Sequence, residues 1–191
     1  PIFWGGPGNK DSEFDGGLNE WTTTGLASSI PDSAINAVWT YSKTSDARPF
    51  VFGGGTPSAN VPIHSLSNAN GAAVFNSAYW DTRGVFSNLG TDKGPAPALS
   101  KMHFPDTKFG IQSGVLTSPK IDCSSQSTVA VWFFQLYYKF YGKTSIEVTH
   151  DGGVNWQEFL INIDSPAANS HVNNRLLVGI TSAAAGYLEV Q

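Results

Sequence analysis

The stretch Ser127 to Tyr141, which reads STVAVWFFQLYYKFY, decides the fold class of this chain. It is dense in β-branched and aromatic residues, and it is apolar at both odd and even positions. That pattern is typical of a strand covered on both faces, because successive side chains point to opposite faces of a sheet. We therefore predict that this stretch forms the central strand of a β-sheet.

The sequence that follows predicts a β-hairpin. Thr144 to His150, TSIEVTH, alternates apolar and polar side chains, as a strand with one solvated face does. Asp151, Gly152 and Gly153 then tolerate the positive φ angles of a tight turn, and Val154 to Ile163 returns as the second strand.

Weaker strand patterns occupy other parts of the chain, and stretches rich in Gly, Pro, Ser and Asn separate them. They run from Ala37 to Tyr41, Ala72 to Tyr79, Gly114 to Thr117, Leu176 to Ile180 and Tyr187 to Val190. No long amphipathic helix is predicted. Many short strands joined by long irregular connections are typical of an all-β, two-sheet jelly-roll sandwich.

We expect residues 1–191 to form a single jelly-roll domain, since neither an internal repeat nor a change in composition divides the chain. The last strand pattern runs to Gln191 without a turn signal. We therefore expect the chain to be a fragment of a longer multidomain protein and to lack the last strand of its sandwich.

Composition argues against several classes of function. With 11 basic and 15 acidic residues and a net charge of -4, the chain lacks the basic field that binds nucleic acid. Its apolar runs are far shorter than the roughly 20 residues of a membrane-spanning helix. The single cysteine, Cys123, excludes an intrachain disulfide and is expected to be a small buried side chain. No zinc-protease or serine-hydrolase motif occurs, and we expect no enzyme activity.

The stretch Thr149 to Trp156, THDGGVNW, resembles an Asp-box, a hairpin turn held by an aspartate. In such a turn the Asp151 carboxylate accepts backbone N–H groups, Gly152 and Gly153 take positive φ angles, and Trp156 packs beneath. We interpret these four residues as structural. A sialidase, in which Asp-boxes recur, would need a propeller longer than this chain.

An acidic cluster near the N-terminus is a candidate metal site. If this segment is extended, Asp11, Glu13 and Asp15 share one face, with Phe14 on the other. Because Ca²⁺ prefers carboxylate oxygens, the alternation predicts a calcium site with Asp15 and Glu13 as its best ligands. The alternative is a solvated acidic edge.

Most of the six tryptophans are expected in the core, and Trp132 and Trp156 are among them because they lie in strand patterns. Tyr79 and Trp80 end a strand pattern beside the irregular stretch Thr82 to Ser113. They are candidates to stack on a sugar, and the alternative is that they support the loop.

Four motifs follow one another along the chain. They are Phe14 to Leu18 with Trp21 and Thr22, Asn70 to Ser77, Leu116 to Asp122, and Phe134 to Tyr141 with Glu147 to Trp156. Together they resemble the MAM-like and cleaved-adhesin-type jelly-roll domains of secreted bacterial proteins, which are galactose-binding-like sandwiches. The resemblance implies export by the type IX secretion machinery and a calcium site, including Asp15, that ties the first strand to the last.

These observations favour a non-catalytic adhesion or spacer module of a secreted or cell-surface bacterial protein, whose partners are glycans, other surface polymers or proteins. A second hypothesis is a carbohydrate-binding module of a secreted hydrolase, with Tyr79 and Trp80 as its platform. A third is an accessory domain that binds no ligand.

Overall fold

The computed structural model describes residues 2, 4–26, 38–43, 63–75, 113–139, 143–163, 170–180 and 187–190. These residues form mainly β-strands, with two short helical turns, and the predicted all-β class is confirmed. In chain order the elements are α1 (Lys10–Glu13), β1 (Thr22–Leu26), β2 (Thr40–Ser42), a 3₁₀ turn (Asn68–Asn70), β3 (Ala72–Val74), β4 (Ser113–Thr117), β5 (Ile121–Asp122), β6 (Ala130–Lys139), β7 (Thr144–Thr149), β8 (Gln157–Ile161), β9 (Ser170–Gly179) and β10 (Tyr187–Val190).

All strand pairs between described residues are antiparallel. One sheet has four strands in the order β5-β10-β7-β8, and three further pairs are β1 with β4, β2 with β3, and β6 with β9. The predicted β7–β8 hairpin is confirmed, with Thr144 opposite Ile161 and Val148 opposite Gln157. The β6–β9 pair is the longest, because its register runs unbroken from Ala130 opposite Gly179 through ten residues of each strand.

The hydrophobic core lies between the four-stranded sheet and the β6–β9 pair. Its buried members and the half-buried side chains that pack on them come from β5, β7 and β8 on one side and from β6, β9 and the chain beside them on the other. They are Cys123, Val129, Ile146, Val148 and Ile180, with Ile121, Val131, Phe133, Phe159, Ile161 and Val178. The described strands are therefore compatible with a two-sheet sandwich, and the jelly-roll connectivity stays a prediction.

Cys123, the single cysteine of the chain, is a free thiol in this core. Burial raises the pKa of the thiol, and the neighbouring charge of Asp122 raises that pKa further. The side chain therefore behaves as a small apolar group, as the sequence predicts.

The outward face of β6 differs from the prediction. Val131 and Phe133 point into the core, whereas Trp132, between them, is 38% exposed. Its cross-strand partner Leu177 is 67% exposed. The expectation that Trp132 lies in the core is therefore wrong. The expected cover on both faces of β6 holds only in part, since Phe134 and Leu136 on the outward face are half-buried. A strand pattern that is apolar at every position does not show which of its side chains stay exposed.

The acidic segment near the N-terminus is helical and not extended. The side chain of Asn9 caps α1 by accepting the Ser12 backbone N–H at 2.9 Å, and the turn ends at Phe14, which takes a left-handed conformation. The predicted alternation of three carboxylates on one face is therefore wrong. Local hydrogen bonding by Asn9 selects the helical turn over the strand.

Candidate functional site

The turn between β7 and β8 is organised by one carboxylate. Asp151 Oδ1 accepts the backbone N–H groups of Val154 at 3.0 Å and Asn155 at 2.9 Å. The Thr149 hydroxyl donates to the same oxygen at 2.8 Å, and the Asn155 side-chain amide donates to Oδ2 at 2.7 Å. Because these bonds hold Val154 and Asn155 in the turn, β8 begins at Gln157 and not at Val154 as the sequence predicts.

Gly153 and Trp156 complete the turn. Gly152 and Gly153 have φ angles of 76° and 89°, a region that side-chain-bearing residues rarely adopt. The indole N–H of Trp156 donates to the Gly153 carbonyl at 3.1 Å, and the Gly153 N–H donates to the Thr149 hydroxyl at 3.1 Å. Trp156 is half-buried, and its ring lies against Gly153.

The hydrogen bonds of the turn favour the ionised form of the Asp151 carboxyl. Hydrogen bonds from the Asn155 backbone, the Asn155 side chain and the Thr149 hydroxyl hold the pKa of Asp151 well below its usual range. A carboxyl with such a pKa is a poor proton donor near neutral pH. The geometry therefore supports the structural interpretation of this turn.

We expect Asp151→Ala to lower the melting temperature by about 5 °C, because the turn amides lose their acceptor. Asp151→Asn keeps the shape, so it isolates the charge. Since the folded-state pKa is lowered, the charge stabilises the fold above the ordinary pKa of 3.8, and this contribution is lost as pH falls toward the folded-state value. The gap in melting temperature between the protein and Asp151→Asn should therefore narrow steadily as pH falls below 3.8.

Val154→Ala is the matched control for the turn. The Val154 side chain is 77% exposed, and Asp151 binds only its backbone N–H, so this variant should melt like the parent. Thermal unfolding followed by circular dichroism, at pH values between about 7 and 2, gives the melting temperature of each variant. A gap for Asp151→Asn that stays constant over this range would contradict the assignment.

The predicted calcium ligands have separate surroundings. Glu13 Oε2 accepts the Gly8 N–H at 3.1 Å and the Asn70 side-chain amide at 3.4 Å, whereas Asp15 is exposed. In the part of the chain that the structure describes, no group of three or more His, Cys, Asp or Glu residues is placed to hold a metal ion. Glu13 instead joins the N-terminal segment to the 3₁₀ turn, and calcium binding by Glu13 and Asp15 stays a prediction.

Tyr79 and Trp80, the predicted sugar platform, lie outside the described residues. An exposed aromatic side chain is found instead on the outward face of the β6–β9 pair. Trp132 stands opposite Leu177, and the neighbouring Phe134 stands opposite Arg175. We call these four residues the Trp132 platform.

Contacts within the Trp132 platform fix its geometry. The rings of Trp132 and Phe134 meet edge to face, with centroids 5.8 Å apart and planes at 82°. The guanidinium carbon of Arg175 lies 5.7 Å from the Trp132 ring centroid, within the range of a cation–π interaction. Further along this face, Asn173 accepts the backbone N–H of His64 at 2.8 Å. The result is an apolar surface, with Trp132 and Leu177 exposed and Phe134 half-buried, that carries the positive charge of Arg175.

The opposite face of the same strands carries an amide cluster. Gln135 and Asn162 exchange two hydrogen bonds, of 2.7 and 3.0 Å, and therefore link β6 to the end of β8. Gln135 also donates to Asn174 at 2.9 Å, and Asn162 donates to the Thr144 hydroxyl at 3.0 Å. These polar groups satisfy one another, so the cluster joins the two sheets beyond the apolar core.

The sequence contains a partial signal for the Trp132 platform. The predicted strand Leu176 to Ile180 continues in the structure back to Ser170, and this extension includes Arg175. A charged residue in register with an aromatic strand indicates that one face is solvated.

Comparison of the chain with protein-family models, with curated proteins and with solved structures found no match.

Proposed function

We propose that this chain is a non-catalytic adhesion module of a secreted or cell-surface bacterial protein and that it binds glycans through the Trp132 platform. The exposure of Trp132 beside Leu177 carries this proposal. A flat aromatic ring on a rigid sheet offers an apolar surface of the kind that meets the C–H face of a sugar, and exposed apolar patches mark interaction sites.

The position of the platform within the fold supports the proposal. Trp132 and Leu177 project from the longest strand pair, whose other face is fixed in the core by Val131, Phe133 and Val178. A binding surface on such a pair needs little ordering when a ligand arrives, and this lowers the entropic cost of binding. The low share of charged residues, 14%, leaves a surface whose hydrogen bonding comes mainly from uncharged polar groups, which suits a glycan.

The acidic side chains with shifted pKa values serve the fold, which supports a non-catalytic role. The Ser124 hydroxyl and backbone N–H, both bound to Asp122, hold the pKa of that carboxyl below its usual range. The Lys143 ammonium, 2.6 Å from Glu158, likewise lowers the pKa of that carboxyl. Together with Asp151, these groups stay ionised, and all three are bound to neighbouring side chains.

Surface location and export rest on the motif resemblance. The Phe14 to Leu18 segment, the Leu116 to Asp122 segment and the aspartate turn at Asp151 are the motifs of that resemblance that lie wholly within the described residues. They support an adhesin-type domain exported by the type IX secretion machinery. No helix among the described residues is long and apolar enough to span a membrane.

A glycan array followed by calorimetry tests the proposal. We expect the protein to bind at least one glycan and Trp132→Ala to weaken that binding by at least about tenfold, because a central aromatic anchor is removed. Leu160→Ala is the matched control, since Leu160 is also exposed but lies on β8. Leu177→Ala provides a second platform variant if Trp132→Ala fails to fold. An array without any binder, or platform variants that bind like Leu160→Ala, would contradict the proposal.

A further inference from the structure

We infer that the Trp132 platform selects acidic glycans, with the carboxylate of a sugar pairing with Arg175 while the body of that sugar rests on Trp132 and Leu177. The inference rests on the proposed function and adds to it the chemical class of the ligand. Three properties of Arg175 carry the inference: its position, the lack of an acidic partner among the described residues, and the uncharged character of the described side chains around it.

Arg175 is exposed, and its guanidinium lies over the Trp132 ring. Its guanidinium carbon is 5.7 Å from the Trp132 centroid, so one ligand unit can contact the ring and the guanidinium together. The planar guanidinium presents paired N–H donors that match the two oxygens of a carboxylate. A cation–π contact leaves those N–H groups free to bind an anion at the rim of the ring.

No carboxylate neutralises Arg175 within the described residues. Among the described residues, an ion pair joins Lys143 to Glu158 on the four-stranded sheet, whereas the guanidinium of Arg175 contacts the Trp132 ring. This positive charge is displayed by a chain whose net charge is -4. An exposed guanidinium beside apolar rings attracts an anion more strongly than one surrounded by water, because the local dielectric is lower.

The described outward positions next to Arg175 hold no other charged side chain. The outward positions around Arg175 hold Trp132, Phe134 and Leu136 on β6, and Asn173 and Leu177 on β9. A single cation suits a ligand with one negative charge per contacting unit. Nucleic acids and other polyphosphates need several basic groups to neutralise successive phosphates, and the described part of this face offers Arg175 alone. An acidic sugar, with one carboxylate on an otherwise neutral ring, matches both the charge and the apolar surface.

Calorimetry with paired ligands tests the inference. The full chain is titrated with oligogalacturonate, oligomannuronate and sialyllactose, each against its methyl ester, which removes the charge and keeps the sugar. We expect at least one acid to bind at least about tenfold more tightly than its ester. Arg175→Gln should abolish that preference, and Arg175→Lys should restore part of it because the charge returns without the paired donors. Trp132→Ala should weaken the binding of acid and ester alike.

Lys143→Gln controls for the total charge of the protein. It removes one positive charge from the other sheet and should leave the preference for the acid unchanged. Equal binding of every acid and its ester, or a preference that survives in Arg175→Gln, would overturn the inference while platform-dependent glycan binding still supports the proposed function. If neither these ligands nor any glycan of the array binds, both fail.

Discussion

We expect Ile180→Ala to lower the free energy of unfolding by about 2 to 5 kcal/mol. Ile180 is 1% exposed and packs in the cluster shared by the two sheets, with Val148 and Cys123 among its members. Its backbone N–H also donates to the Val129 carbonyl at 2.9 Å, which fixes the position of the side chain. Removing three carbon atoms therefore leaves a cavity that the strands cannot easily close.

Leu177→Ala is the control for this loss of stability. Leu177 lies three residues earlier, on β9, and is 67% exposed, so its truncation should change stability by no more than about 0.5 kcal/mol. Urea unfolding followed by tryptophan fluorescence measures both variants. Equal losses in Ile180→Ala and Leu177→Ala would show that the core does not lie between these sheets.

The second large effect is expected at Gly71, between the 3₁₀ turn and β3. Gly71 has φ 109° and ψ -166°, a combination that essentially only glycine adopts. A Cβ atom there would lie 2.5 Å from the Ser42 carbonyl oxygen and 2.5 Å from Cε2 of Tyr41. Gly71→Ala therefore combines backbone strain with a clash against the backbone of β2, and we expect a loss of at least about 3 kcal/mol.

Gly16→Ala separates strain from clash. Gly16 also has a positive φ, of 78°, but nothing lies within 4 Å of the added Cβ. Its substitution should cost only the strain, about 1 to 2 kcal/mol. Urea unfolding compares the two variants. If Gly71→Ala costs no more than Gly16→Ala, the close approach of β2 to Gly71 is contradicted.

The hairpin and its turn could be predicted because their interactions are local. Asp151 and the N–H groups it binds are separated by three and four residues, and the alternation of Ile146 and Val148 identifies the buried face of β7. Turn chemistry and strand periodicity are properties of short segments. The residues of this turn therefore determine its hydrogen bonds with little help from the rest of the chain.

The Trp132 platform could not be predicted, because exposure depends on what lies across the sheet. The register that sets Trp132 opposite Leu177 joins positions 45 residues apart, and strand propensity is the same for a displayed tryptophan as for a buried one. The prediction of an extended strand from Asp11 to Asp15 was wrong for the opposite reason, since a local helix cap at Asn9 outweighed the alternating pattern. Both errors concern the candidate binding residues, whereas the fold class was predictable from composition and turns.

Because Cys123 is the single cysteine and is buried, its reaction with a thiol reagent reports transient opening of the core. A thiol reagent cannot reach a side chain that is 1% exposed until the strands around it separate, and no second cysteine contributes to the signal. The rate at which a thiol reagent modifies Cys123 in the native protein therefore measures how often the core opens to solvent in the absence of denaturant. The same opening governs the rate of proteolysis of the domain, because proteases cleave the open form and not the closed one.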